Sequence, residues 1–187
     1  MTRKMQFKVS LLGEGMVGKT SLKNRIITGK FTELYLTTLG VDFGIHSLKI
    51  DDADIQLAIW DIAGQKNFSS IRGGYFEGSS GAIIVFDVTR PETLTKIKDH
   101  WIVPFFEKLK KQLPILVLAN KIDLEKERNV SKKQIEDYLK LIKIELGLEN
   151  TELPYIEASV KDDINVIKSI EEFTKMLIKH HQNKLIQ

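Results

Sequence analysis

The sequence contains no cysteine. That excludes a disulfide framework, a thiolate-held zinc and a cysteine nucleophile, and it suits a reducing compartment. It also leaves nothing to prenylate or palmitoylate, and residue 2 is Thr rather than Gly, so no direct lipid anchor is expected. No apolar run approaches the ~18 residues that a membrane-crossing helix needs. Residues 1–8 hold Arg3 and Lys4 before only a short apolar run, which is not a signal peptide. Charge of one sign is scarce as well. Lys and Arg number 28 against 25 Asp and Glu, a net +3, which gives no argument for a nucleic-acid partner. What remains is ordinary for a globular protein: 187 residues, 42% hydrophobic and 28% charged. The length supports one domain over 1–187, with the last few residues expected to fray.

Short apolar runs alternate with helical patterns along the whole chain. Residues 7–12 read as a strand and 19–28 as a helix stopped by Gly29. Residues 41–50 and 55–61 read as a hairpin around the turn cluster Asp51-Asp52-Ala53-Asp54. The continuous apolar runs 82–88 and 115–119 fit parallel strands buried on both faces, and 154–158 reads as a last short strand. Helical spacing runs through 91–111 with Pro91 near its start. It returns in 131–146, where Ser131 is the candidate N-cap and Gly147 the stop, and in 164–179, with Ile167, Ile170, Phe173, Met176 and Leu177 on one face. Trp101, Phe105 and Phe106 read as core, and Lys108 to Lys111 as a solvated helix end. The pattern predicts a three-layer α/β fold: a mostly parallel six-stranded sheet with one antiparallel strand and helices on both faces.

Gly13-Glu14-Gly15-Met16-Val17-Gly18-Lys19-Thr20 fits G-x-x-x-x-G-K-[ST] between a strand and a helix, the context this motif requires. Glycines let successive backbone N–H groups turn inward onto phosphate oxygens, and the helix N-terminus adds the positive end of its dipole. Lys19 is placed to reach the β- and γ-phosphates, with Thr20 to ligate Mg²⁺ and Ser21 following in the phosphate-binding turn. Met16 is expected to point outward. This loop by itself does not separate GTPases, ATPases and kinases.

Asn120-Lys121-Ile122-Asp123 follows the strand 115–119, at the sheet edge where such folds bind ligands. A carboxylate is a pure acceptor. Asp123 can take the N1–H and exocyclic amine of guanine, a donor pair that adenine lacks. Asn120 can donate to the base edge and tie its loop to the phosphate loop, and the stem of Lys121 can lie along the base plane. Asp61 ends another strand, where it can hold a magnesium-bound water. Gly64 can bring a backbone N–H against a γ-phosphate, and Gln65 can orient a water for attack. The glycine-rich stretch Ser69 to Gly74 reads as a mobile, poorly core-forming segment.

Taken together, these segments resemble a small GTPase of the Ras superfamily, most like its Rab branch. The resemblance spans about Phe7 to Lys179 and rests on five motifs in order. They are the phosphate loop, Thr38-Leu39-Gly40-Val41-Asp42-Phe43, Trp60-Asp61-Ile62-Ala63-Gly64-Gln65, Asn120-Lys121-Ile122-Asp123, and Glu157-Ala158-Ser159-Val160-Lys161. It implies a switch that binds GTP and GDP with Mg²⁺ and slowly hydrolyses GTP, in signalling or vesicle trafficking. In that scheme Thr38 ligates Mg²⁺ and senses the γ-phosphate. Phe31 stands edge-on to guanine and Tyr35 closes over the phosphates. Ser159 braces the Asp123 loop, the Val160 N–H meets guanine O6, and Lys161 flanks the base. Lys19, Gly64 and Gln65 carry the catalytic roles. Effectors, exchange factors and GTPase-activating proteins would act through switch I (Lys30 to Gly40) and switch II (Ala63 to Gly74) on a cytoplasmic monomer that a partner recruits to membranes.

The sequence departs from the family pattern at Lys66, where Glu is usual, which puts the usual regulator contacts in doubt. The C-terminal cysteines of Rab proteins are also missing. Retention of Gly15 leaves room for Gln65 and an arginine supplied in trans. Two competing functions are a phosphate-loop nucleotide kinase and a GTP-binding scaffold without turnover. Five scattered arginines make a poor kinase lid, and Thr38 and Gln65 argue against an inert scaffold. The four histidines show no metal-ligand spacing with carboxylates.

Overall fold

A computed structural model of the chain describes residues 3–31, 40–64, 69–148 and 151–186. In chain order the elements are β1 (Arg3–Leu12), α1 (Lys19–Thr28), β2 (Val41–Ile50), β3 (Ala53–Ile62), α2 (Ser69–Phe76), β4 (Gly81–Asp87), α3 (Pro91–Thr95), a π-helical turn (Ile97–Ile102), α4 (Val103–Leu109), β5 (Ile115–Asn120), α5 (Lys132–Glu145), β6 (Tyr155–Ala158) and α6 (Val166–Ile186). The six strands form one sheet in the order β2-β3-β1-β4-β5-β6. Only β2, paired with β3 through a tight turn at Asp51-Asp52, is antiparallel.

Alternation along the central strands divides the core in two. Ala82, Ile84 and Phe86 of β4, with Ile115, Val117 and Ala119 of β5, face a cluster holding Phe76, Leu94, Trp101, Phe105, Ile135, Leu139 and Ile142. Ile83, Val85, Leu116 and Leu118 face the opposite cluster, with Leu22, Ile26, Ile170, Phe173 and Leu177. Helices α1 and α6 therefore cover one face of the sheet, and α2 to α5 the other. Strands buried on both sides read as unbroken apolar runs for this reason.

Local signals fix most boundaries. Gly29 ends α1 in the left-handed region at φ 69°. Ser131 caps α5 in a capping box with Gln134.

Four expectations need correction. The single helix expected over 91–111 is broken: α3 gives way to the π turn, where Val103 N–H donates to the Lys98 carbonyl, and then to α4. Ser69 to Gly74, which reads as poor core, starts helix α2, anchored by buried Phe76 packed edge-on to Phe105 at 5.2 Å. The last helix runs on through His180 and His181 to Ile186, with His181 edge-on to Phe7. Ile167 does not join its buried face and is 50% exposed. Among the described residues no helix is long and apolar enough to cross a membrane.

Candidate nucleotide site

Strand register brings the motifs to one edge. Leu11 of β1 lies beside Asp61 of β3, Asp87 of β4 beside Asn120 of β5, and Asn120 beside Ala158 of β6. The segments after these strand ends are therefore neighbours at the carboxyl edge of the parallel strands, where open α/β sheets bind ligands.

The phosphate loop wraps from Gly13 to the first turn of α1. Met16 takes the left-handed region at φ 65° with its side chain 69% exposed, outward as expected. Gly18 also has positive φ, 102°, and a Cβ there would collide with the Asn120 side-chain nitrogen, so this position requires glycine for conformation and space alike. Lys19 is buried, and its Nζ donates to the carbonyls of Gly13 at 2.8 Å and Glu14 at 2.9 Å. The amine is thus held inside the curve of the loop. Gly64 closes in from β3: a Cβ on it would stand 2.5 Å from the Gly13 oxygen and 2.6 Å from Lys19 Nζ.

Thr20 Oγ1 donates to Asp61 Oδ2 at 2.5 Å, and Asp61 is fully buried. A hydroxyl and a carboxylate side by side at the helix N-terminus are hard oxygen ligands. They fit Mg²⁺, which is typically held by one or two protein oxygens and completed by phosphate and water. No cluster of three or more His, Cys, Asp or Glu exists among the described residues to form an all-protein metal cage. Ser21 follows Thr20, half-buried in the first turn of α1.

Asn120 joins three segments. Its Nδ2 donates to the Val17 carbonyl at 2.8 Å, and its Oδ1 accepts from the Val160 N–H at 3.1 Å. Ser159 Oγ donates to Asp123 Oδ1 at 2.7 Å and accepts from the Asp162 N–H. Ser159 thus ties the Asp123 carboxylate to the loop after β6. The Val160 N–H, expected to meet a guanine oxygen, is engaged by Asn120. Lys121 sits in the left-handed region at φ 71°, and its Nζ reaches Asp87 Oδ2 at 2.7 Å. Lys161 is exposed. Phe31 is partly buried against the α1/α6 side of the core, with the Arg25 guanidinium 5.8 Å from its ring centre. Tyr35, Thr38, Gln65 and Lys66 lie outside the described residues.

Three further residues hold the site and escaped the sequence reading. Arg25 donates to the carbonyls of Val160 and Lys161 at 3.2 and 2.6 Å. Arg90 bridges Asp87, at 3.1 Å, and the Gly15 carbonyl, at 2.9 Å. Asp87 itself is 1% exposed. Burial pushes its carboxyl up, but hydrogen bonds from Lys121 and Thr89 and the Lys121 charge outweigh that and hold it below the usual carboxylate range. One signal was available. Asp87 is a carboxylate set near the end of the apolar run 82–88, and it closes β4 as Asn120 closes β5.

The sequence profile of the Ras family matches residues 8–179. The chain is 31% identical over 176 residues to the Ras-related protein Rab-7a of Paramecium octaurelia, an alignment covering 92% of this chain and 82% of that protein. It is 43% identical over 136 residues to the Ras-related protein Rab-21 of Mus musculus, covering 73% of this chain and 61% of the relative.

Proposed function

The chain belongs to the Ras family, as a small GTPase most like the Rab proteins, and from that premise we propose how its own residues bind guanine nucleotide and turn GTP over. The fold and motifs leave the nucleotide-kinase alternative without support. The observation that carries the reading is the double bond of Asn120, to Val17 at 2.8 Å and to Val160 at 3.1 Å. It couples a guanine-reading loop to a phosphate-reading loop, an arrangement without purpose unless base and phosphates belong to one ligand.

In this reading Asp123, held by Ser159, accepts the paired donors of guanine and rejects adenine. The aliphatic part of Lys121 lies along the base while its amine stays tied to Asp87, and Lys161 and Phe31 flank the ring. The N–H groups of residues 13–21 receive the phosphates, and Lys19 turns from carbonyls to phosphate oxygens. Thr20, with Thr38 and a water held by Asp61, would ligate Mg²⁺, which when bound neutralises charge on the phosphates. Gln65 orients the attacking water, and Gly64 presents its N–H where a γ-phosphate ends. No arginine is assigned to the γ-phosphate in cis, so hydrolysis is slow until a partner supplies one.

The γ-phosphate would then be sensed by Thr38 and Gly64, reordering residues 30–40 and 63–74 and changing which partners bind. The stacked pair Phe43 and Trp60, with ring centres 5.5 Å apart and Phe43 60% exposed, offers effectors and regulators an apolar face beside both segments. We place this switch in the cytoplasm, as a monomer brought to membranes by a partner in trafficking. The test is to identify the nucleotide carried through purification and to follow one turnover of bound GTP. Guanine nucleotide converted slowly to GDP and phosphate supports the reading. An adenine nucleotide, or phosphoryl transfer to a second nucleotide, would overturn it.

A further inference from the structure

The phosphate loop is held from outside as well as from within. The Glu14 side chain, only 15% exposed, turns away from the loop's interior and meets two side chains of the α3 region: Lys96 Nζ at 3.1 Å and His100 Nδ1 at 3.2 Å. Lys96 closes α3 and His100 lies four residues on, their backbones joined by the bond from His100 N–H to the Lys96 carbonyl at 3.0 Å. That α-type spacing puts both side chains on one face, aimed at the phosphate loop, while Lys98, two residues from each, points the other way, to Asp99 and Glu145. Burial pushes the Glu14 carboxyl up, yet the hydrogen bonds and charges of Lys96 and His100 more than offset it and draw it below the usual range.

We propose that Lys96 and His100 are positioning residues for nucleotide retention, acting through Glu14. The backbone they steady is central to the site. The Glu14 carbonyl holds Lys19 Nζ at 2.9 Å, and the Glu14 carbonyl carbon is 2.6 Å from where a Gly64 Cβ would stand. On the next residue, the Gly15 carbonyl is held by Arg90. A loop whose N–H groups are already aimed loses less freedom on binding and releases its ligand more slowly. Breaking the outer contacts loosens residue 14 without touching any group that faces the nucleotide. The proposal rests on the guanine-nucleotide reading and names what sets the strength of that same site.

The test is the rate at which a bound fluorescent GDP analogue is displaced by excess GDP in magnesium, with the full chain. His100→Ala and Lys96→Met each remove one charge-assisted bond at a partly exposed site, and each should speed release about three- to tenfold. Lys96→Arg, which keeps the charge and reach, should restore release to within about twofold of the wild type. Lys98→Met, on the same turn but facing away, should leave it unchanged. In a Glu14→Gln background, His100→Ala should add little, because the partner it acts through has lost its charge. Wild-type release from both single variants would overturn the proposal, as would an equal effect of His100→Ala with and without the Glu14 carboxylate. A wild type that holds no guanine nucleotide would overturn the functional reading itself, and this inference with it.

Discussion

Asn120 and Val17 are 103 positions apart in the chain, yet a hydrogen bond of 2.8 Å joins the Asn120 amide to the Val17 carbonyl. It ties the loop after β5 to the middle of the phosphate loop, so that neither can move without the other. Asn120 is 3% exposed and Val17 fully buried, and the Val17 carbonyl and the Val160 N–H lose this partner if the amide is removed.

Asn120→Ala should therefore weaken both fold and ligand binding. Two buried groups, the Val17 carbonyl and the Val160 N–H, would be left unpaired at roughly 1–3 kcal/mol each. The expected outcome is a GDP dissociation constant raised tenfold or more, together with a lower melting temperature. Titration and thermal unfolding on one preparation check both. A variant equal to the wild type in each would mean that the bridge carries no load.

Asp123→Asn replaces a pure acceptor with a side chain that also donates. Preference should move from guanine toward xanthine nucleotides, and loss of a hydrogen-bonded discrimination of this kind can reach about 10⁴-fold. A competition series of GTP, XTP and ATP reads the change. Unaltered preference for GTP would remove Asp123 from base recognition.

Intrinsic hydrolysis is expected on the order of 10⁻⁴–10⁻² s⁻¹, the range of unaided GTPases such as Ras. Gln65→Leu should slow it further and leave GTP affinity nearly intact. Single-turnover phosphate release measures this directly, and a variant as fast as the wild type would take Gln65 out of the mechanism.

Asp87 supplies a pH dependence whose sign follows from its contacts. Its carboxyl is held below the ordinary value of 3.8 in the folded protein. The unfolded chain therefore binds the proton first, and the contribution of this group is fully present above that ordinary value. It is lost as pH falls through the lowered folded-state value. Asp87→Asn should destabilise the protein near neutral pH by roughly 2–3 kcal/mol, since Lys121 and Arg90 lose a shared anion. It should also remove part of the fall in stability below about pH 4. Denaturant titrations at neutral pH and between pH 3 and 5 separate the two effects. Parallel acid profiles for wild type and variant would contradict the assignment.

The sequence carries the layered fold because its buried strands are short apolar runs ended by site residues: Leu12 before Gly13, Trp60 before Asp61, Ala119 before Asn120. The phosphate loop and the Asn120 to Asp123 loop were legible because glycine, lysine and carboxylate at fixed spacing have few other uses on one sheet edge. The break in the helix after Pro91 was not legible. A π turn shifts the period by one residue, and Ile97, Trp101, Ile102 and Phe105 still read as one apolar face. Arg25 and Arg90 were missed for a different reason. Each acts by donating to backbone carbonyls distant in sequence, Val160 and Lys161 for one and Gly15 for the other, and a carbonyl acceptor leaves no mark in residue type. Lys96 and His100 were missed because their shared partner, Glu14, lies 82 and 86 positions away in the chain.

The central claim is that one ligand joins the phosphate loop to the guanine loop. The most direct measurement is displacement of a bound fluorescent GDP analogue by GTP, GDP and ATP, with and without magnesium. GTP and GDP should compete tightly in magnesium, more weakly when it is chelated, and ATP should fail to compete at concentrations at least a thousandfold higher. Equal displacement by ATP and GTP would contradict the account, because it would leave Asp123, Ser159 and Asn120 arranged around a base that they do not read.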